Sequence, residues 1–298
     1  MILSTQTSNI FGAFGEKEGL KVFKEAGYDA LDMSLFGVST NPDYVLSKDG
    51  WREYAEQIKK WADETGIYFN QSHVPFVFNW KNPNEFEERF MPLNIKGLEI
   101  SGIVGAKIAI VHPYHYGEYF GHEDEIFDIN MKFYRDLLPY AKEYGVKIAI
   151  ENMWRRELKR KYICPSACGT ADELVKYIDT LDDDTFVACL DLGHCGLVGE
   201  EAQDAIRILG HDRLKALHVH DNNYIDDTHT LPFLSMMDWN EITKALADID
   251  YDGEFTFEAD AFLRYVPKDF KPTACKFMAD TGRFLINKIE KYKAEKAE

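Results

Sequence analysis

Along this chain, one short apolar run after another ends on a polar residue able to ligate a metal ion. Ile108-Ala109-Ile110-Val111 runs into His112, Ile148-Ala149-Ile150 into Glu151, and Val187-Ala188-Cys189-Leu190 into Asp191. Leu214 to Leu217 leads to His218, Phe255-Thr256-Phe257 leads to Glu258, and Tyr68-Phe69 is followed closely by His73. Unbroken apolar runs of this kind are the signature of parallel strands buried on both faces. From His73 to His112, Glu151 and Asp191 the interval is about 40 residues each time, which matches one strand, one loop and one helix of a (β/α) barrel. The pattern predicts strands near 2–5, 28–33, 67–72, 106–111, 146–151, 186–191, 214–220 and 253–258, each followed by a helix.

Several helix ends are readable. Gly19-Leu20 to Ala26 closes at Gly27, and the junctions Ala26-Gly27-Tyr28, Thr65-Gly66-Ile67 and Tyr144-Gly145-Val146 repeat one design. In each, a helix ends, a glycine takes the left-handed turn, and a strand begins. Thr170-Ala171-Asp172-Glu173 is a capping-box sequence opening a helix over Leu174 to Leu181. Ile126, Ile129, Phe133, Leu137, Ala141 and Tyr144 form a helical stripe, within which Pro139 removes one backbone donor. A doubly wound open sheet is the rival arrangement, but it usually carries a glycine-rich phosphate turn after the first strand. Gly12-Ala13-Phe14-Gly15 has the wrong spacing for one. The expected fold is therefore an α/β, single-domain (β/α)8 TIM barrel over residues 1–298, with Lys288 to Glu298 as a frayed, solvated helix.

Composition narrows the setting. The 298 residues carry a formal net charge of −17 and a sequence pI near 5.0, a balance that repels polyanions and disfavours nucleic acid. No run approaches the ~18 apolar residues of a membrane span. The opening Met1-Ile2-Leu3-Ser4-Thr5-Gln6 lacks the basic and long apolar regions of a signal peptide and reads as a first strand. The five cysteines, Cys164, Cys168, Cys189, Cys195 and Cys275, show no CxxC pairing and read as reduced thiols. A cytoplasmic setting without membrane partners is the expectation.

Glu151 and Glu258 stand out chemically. Each ends a strand so apolar that a buried carboxylate there is costly unless it is paired or bound to metal. Asp191-Leu192-Gly193-His194 adds a DxxH arrangement after a strand, although Asp-Leu-Gly is also an ordinary turn. In His218-Val219-His220 two histidines face the same side of a strand, so either one is a candidate ligand, and Asp227-Thr228-His229 supplies a further alternate pair. Any one of these histidines alone is equally a satisfied polar residue at a strand end. Together the carboxylates and imidazoles form an oxygen/nitrogen set suited to Mn, Mg, Co or Zn, with no thiolate to choose among them. Two carboxylates either side of a substrate also serve as proton donor and acceptor.

The loop after Glu151 bears on substrate. Arg155, Arg156, Lys159, Arg160 and Lys161 crowd a segment that the barrel places on its active face. They match capture of a phosphate or carboxylate, or else a solvated loop or oligomer contact. Phe76, Phe78, Trp80, Tyr114, Tyr116, Tyr119 and Trp154 offer faces for stacking on a sugar ring, or for core packing or an interface between identical chains. His115 and His122, in the loop of His112, read as lid or surface residues.

Ser72-His73-Val74-Pro75-Phe76, Val111-His112-Pro113, Ile150-Glu151-Asn152, Asp191-Leu192-Gly193-His194, His218-Val219-His220-Asp221 and Asp227-Thr228-His229 together resemble the xylose-isomerase-like TIM-barrel superfamily. That group includes sugar and sugar-phosphate isomerases and epimerases, inosose dehydratases and endonuclease-IV-type apurinic endonucleases. The resemblance runs from the first strand to Glu258. It implies a divalent metal on Glu151, Asp191, His218 and Glu258, with the two glutamates passing a proton on and off the substrate through an enediolate. It further implies substrate contacts from His194 and Glu157, and His73, His112, Trp154 and Arg155 in the active-face loops are the other candidate contacts. Where epimerases often carry an arginine six residues past the metal histidine, this chain has Tyr224. The endonuclease branch holds three zinc ions, and His73, His112, His194, His220, Asp227 and His229 supply candidates for additional ligands. That branch's surrounding fingerprints are missing, since Leu231-Pro232-Phe233 stands where it has a glycine-rich turn. The resemblance thus implies a metal-dependent isomerase or epimerase of a sugar or sugar phosphate. Its rivals are a sugar or inosose dehydratase, a zinc-dependent abasic-site endonuclease, and a non-catalytic sugar-binding barrel.

Overall fold

Strands and helices alternate around one closed ring. The structure is a computed structural model and describes residues 1–76, 85–114 and 118–297. Among these residues the strands are β1 Leu3–Thr5, β2 Ala30–Ser34, β3 Tyr68–His73, β4 Ile108–Val111, β5 Lys147–Glu151, β6 Trp154–Arg156, β7 Ile163–Pro165, β8 Phe186–Asp191, β9 Leu214–His218 and β10 Phe255–Phe257. Six of them form a parallel sheet in the order β2-β3-β4-β5-β8-β9, and β1 pairs in parallel with β10. Single bridges from Gln6 to Asp32 and from Val219 to Phe257 join the two sheets and complete an eight-stranded ring. The expected barrel strands are thus all present. The antiparallel hairpin β6–β7 is an addition, standing in the loop after β5.

Alternation along the ring strands separates two apolar layers. Ile150, Leu190 and Leu217 belong to the main core, which includes the helices wrapped around the ring. Ile108, Ile110, Ala149, Val187, Cys189 and Ala216 form a separate buried cluster. Side chains two apart on a strand share a face, so His112, Glu151, Asp191 and His218 continue the face of Ile110, Ala149, Cys189 and Ala216. The small apolar cluster is therefore the floor of the polar site.

The helix-end reading is visible at Gly27, Gly66 and Gly145, with φ of 101°, 72° and 68°, a region that favours glycine. Thr170 accepts a hydrogen bond from the Glu173 amide at 3.3 Å. The Glu173 carboxylate returns to the Gly169 amide, one residue before the position expected of a capping box. The helix Glu123–Tyr144 buries Ile126, Phe133, Leu137 and Ala141 and continues through Pro139. At the C-terminus the expected helix is present and mostly exposed beyond Ile289. One helix runs unbroken over Lys271–Ala297, with Ile289 fully buried. Lys293 and Lys296 donate to the carbonyls of Tyr251 and Asp248, which ties the last turns to the barrel. All five cysteines are free and buried, and no helix among the described residues is long and apolar enough to cross a membrane.

Candidate metal centre and active site

Four ring strands deliver one polar group each to the same point. Glu151 ends β5, Asp191 ends β8, His218 ends β9, and Glu258 follows β10 directly. Hydrogen bonding fixes these ends. The Glu258 amide donates to the Val219 carbonyl. Asn152 Nδ2 donates to the Asp191 carbonyl, and its Oδ1 accepts from the Asp191 amide. Asp191 also caps the short helix Leu192–Val198 by accepting from the His194 amide at 2.8 Å.

The four side chains are at most 6% exposed, and one ligand atom from each lies within 4.8 Å of the others. His218 Nδ1 sits 3.1 Å from Glu151 Oε1 and 3.0 Å from Glu258 Oε2. Burial alone would raise the pKa of both glutamates. The opposing pull of His218, joined by His112 on Glu151 and by His229 on Glu258, outweighs burial and holds both below the ordinary carboxylate range.

The donor set fits a divalent ion. Three carboxylates and an imidazole converge in a dry setting, where like charges repel strongly unless a cation lies between them. His112 Nε2 is 2.8 Å from Glu151 Oε2. Neither atom makes a hydrogen bond of acceptable geometry, although both are buried. The orphaned Glu151 Oε2 is a buried acceptor that a bound cation would satisfy.

A second group adjoins the first. His194, His220, Asp227 and His229 also offer ligand atoms within 4.8 Å of one another. Asp227 Oδ2 lies 3.0 Å from His229 Nε2 and 3.5 Å from His194 Nε2. His229 Nδ1 is held by the Glu258 carbonyl at 2.8 Å, and its ring stacks on His220 at 4.1 Å. His220 Nε2 in turn meets Asp191 Oδ1 at 2.9 Å. His194 is driven up to about 10: its burial opposes this, but Asp191 and Asp227 prevail. A third set, His73 with Glu151 and His218, overlaps the quartet.

A cavity of about 600 Å³ opens above these groups, a volume usual for a small-molecule site. Of the residues expected from sequence, His73, His112, Glu151, Trp154, Arg155, His194, Asp227, His229 and Glu258 line it. Asp191, His218 and His220 lie beneath, fully buried. Glu157 does not join them. Its carboxylate accepts from the amides of Lys159 and Arg160 and shapes the β6–β7 turn. Phe76 lines the cavity, whereas Tyr114 packs on Phe86 and Tyr119 donates to Glu173. His122 is exposed beside Glu125. Phe78, Trp80, His115 and Tyr116 lie outside the described residues. Tyr224 packs against Gly196 and points its hydroxyl to the Met236 carbonyl, away from the cavity wall.

Several participants were not foreseen, among them Phe36 and Arg264 in the cavity wall and an acid behind the quartet. Asp32, fully buried on β2, lies 3.3 Å from His218 Nε2 and accepts from Gln71 Nε2 at 2.9 Å. An acid on the far ring nitrogen fixes the imidazole's orientation and leaves Nδ1 to face the quartet. The available signal was a lone Asp inside the apolar run Ala30-Leu31-Asp32-Met33.

Comparison with known proteins agrees with this architecture. The chain is 26% identical over 197 residues to the uncharacterized protein MJ1311 of Methanocaldococcus jannaschii, a match spanning 62% of each chain. It is 27% identical over 272 residues to the uncharacterized protein y4fM of Sinorhizobium fredii, spanning 82% of this chain and 81% of that one. A shorter match, 31% over 124 residues, covers 42% of this chain and 37% of a D-psicose 3-epimerase from Enterocloster bolteae. Among solved structures, a D-tagatose 3-epimerase-like protein superposes with a TM-score of 0.75 at 17% identity over the full length of both chains. The IOLI protein with a binding zinc atom gives 0.75 at 17% identity, covering 98% and 99%. The family model for the xylose isomerase-like TIM barrel matches residues 20–271. The chain belongs to the xylose isomerase-like TIM-barrel family.

Proposed function

We propose that this protein is a divalent-metal-dependent isomerase or epimerase of a sugar, working by proton transfer through an enediolate. The observation that carries this reading is the pair Glu151 and Glu258. They come from strands three places apart in the ring, flank one imidazole, and line one cavity. The names of the D-psicose and D-tagatose epimerase relatives point the same way.

Glu151, Asp191, His218 and Glu258 would hold the ion, which polarises a substrate carbonyl and acidifies the adjacent C–H. The chain's own groups do the rest. A base must be unprotonated at neutral pH, and the lowered pKa values of both glutamates meet that need. One glutamate removes the proton beside the carbonyl and the other returns a proton on its own side. His73, His112 and His194 present ring nitrogens to the substrate's hydroxyls. Phe36, Phe76 and Trp154 wall the cavity and limit water around the enediolate.

The test is exchange of substrate hydrogen with solvent. Metal-loaded protein is incubated in D₂O with D-fructose, D-tagatose and D-psicose and with their 6-phosphates, and deuterium beside the carbonyl is read by NMR. Incorporation that stops with a chelator and returns with metal is expected. No exchange across the panel contradicts the proposal and favours a non-catalytic binding barrel, while loss of water from the sugar identifies a dehydratase. The three adjoining ligand groups favour one second reading, a zinc phosphodiesterase acting on abasic DNA. Nicking of an abasic-site duplex together with three zinc ions per chain would establish that alternative.

A further inference from the structure

The cavity is lined by a buried cation that no carboxylate of a described residue neutralises. Arg155, the middle residue of β6, is only 9% exposed and lines the cavity. Its Nη1 is buried with no hydrogen-bond partner, and no carboxylate of a described residue pairs with its guanidinium. Its neighbours differ. Arg156 is half exposed and bonded to Asp226 at 3.0 Å. Lys271, also buried, reaches the Leu263 carbonyl and Asn9 Oδ1.

The acids around the cavity have partners other than Arg155, although Asp227 Oδ1 is itself buried without a hydrogen bond. Asp227 is taken by His194, His229 and the Trp154 indole, and Glu258 by His218. Asp260 accepts from Asn9. Arg264, exposed at the end of the helix Ala261–Arg264, lines the same cavity and lies in the field of Asp260. In a chain of net charge −17, a buried guanidinium without a carboxylate partner among the described residues does not follow from general surface charge. A planar guanidinium withdrawn from water carries a desolvation penalty that a partner anion offsets, and its fork matches phosphate or carboxylate oxygens in pairs.

We infer that the substrate is an anionic sugar, a ketose bearing a phosphate or a carboxylate, and that Arg155 binds this oxyanion. The inference rests on the ketose reading above and sharpens it.

The test compares affinities of metal-loaded protein for D-fructose, D-fructose 6-phosphate and D-fructuronate by calorimetry. One charged probe should bind about tenfold to a hundredfold more tightly than the neutral sugar, and the tighter of the two names the oxyanion. Arg155→Gln should bring the charged-to-neutral ratio close to one. Arg155→Lys keeps the charge but not the fork, guards against a folding failure of the first variant, and should give a ratio in between. Arg160→Gln, on the exposed turn, should leave the wild-type ratio in place. Equal affinities in the wild type, an unchanged ratio in Arg155→Gln, or no binding of either charged probe overturns the inference. Metal content measured on the same samples separates the failures. Bound metal with equal affinities removes only the oxyanion role, whereas protein unable to bind metal removes the metal-dependent reading as well.

Discussion

The two neighbouring ligand groups are built in different ways. Glu151, Asp191 and His218 are the last residues of their strands, and Glu258 follows its strand at once, so ring hydrogen bonds set all four positions. In the second group, His194 sits on a seven-residue helix, His220 lies just past β9, and Asp227 and His229 come from the loop beyond it. Exposure follows construction: the quartet is buried, whereas the side chains of Asp227 and His229 are 15% and 20% exposed. Groups held by regular structure are placed more exactly than groups held by loops. The strand-borne quartet is therefore suited to permanent binding of one ion, and the loop-borne group to adjusting around a substrate or a weaker second ion.

The largest effect should come from Glu258→Gln. It removes a proton-transfer group but keeps an oxygen ligand, so deuterium exchange should fall by about 10²–10⁴ with metal still bound. Full exchange in this variant would end the two-base scheme. Next is Asp32→Asn, which loosens the orientation of His218. Affinity for the first ion should drop about 10- to 100-fold, read by titration against a chelating dye. Asp227→Asn is its counterpart and should spare that first ion; the reverse pattern would invert the assignment of strong and weak groups.

Asp221 offers a structural route to the same contrast. Its buried carboxylate accepts from the amides of Phe233, Ser235 and Met237 and from the Trp239 indole, and so organises the loop that carries Asp227 and His229. Asp221→Ala should cost about 3 kcal/mol in denaturant unfolding and weaken the second group before the first. Thr170→Ala, which removes a helix cap remote from both groups, should cost about 1 kcal/mol and leave metal affinity unchanged. A change in metal binding there would show that the quartet is less rigid than the ring implies.

Strands buried on both faces show as apolar runs, and a site at their ends shows as the residue that breaks each run. That is why the ring and the positions of Glu151, Asp191, His218 and Glu258 were legible. Asp32 was hidden because it lies inside such a run, and a single polar residue in a strand does not reveal what it meets across the barrel. Alternation left His218 and His220 equivalent. They differ only in their three-dimensional partners, Glu151 and Glu258 for the first, Asp191 and His229 for the second. Glu157 stands outside the cavity, and spacing from Glu151 does not register the hairpin that intervenes, whose three-residue strands carry no periodic signal. The charged tail is mostly exposed, as its lysines suggest, and two of those lysines also reach back to carbonyls of the barrel.

The most direct test of the account is anomalous diffraction from crystals of the protein grown with Mn²⁺. The account predicts the strongest peak within about 2.0–2.3 Å of oxygen or nitrogen atoms of Glu151, Asp191, His218 and Glu258, with any peak between His194, Asp227 and His229 weaker. A strongest peak in the loop-borne group, or none at the quartet, would contradict it.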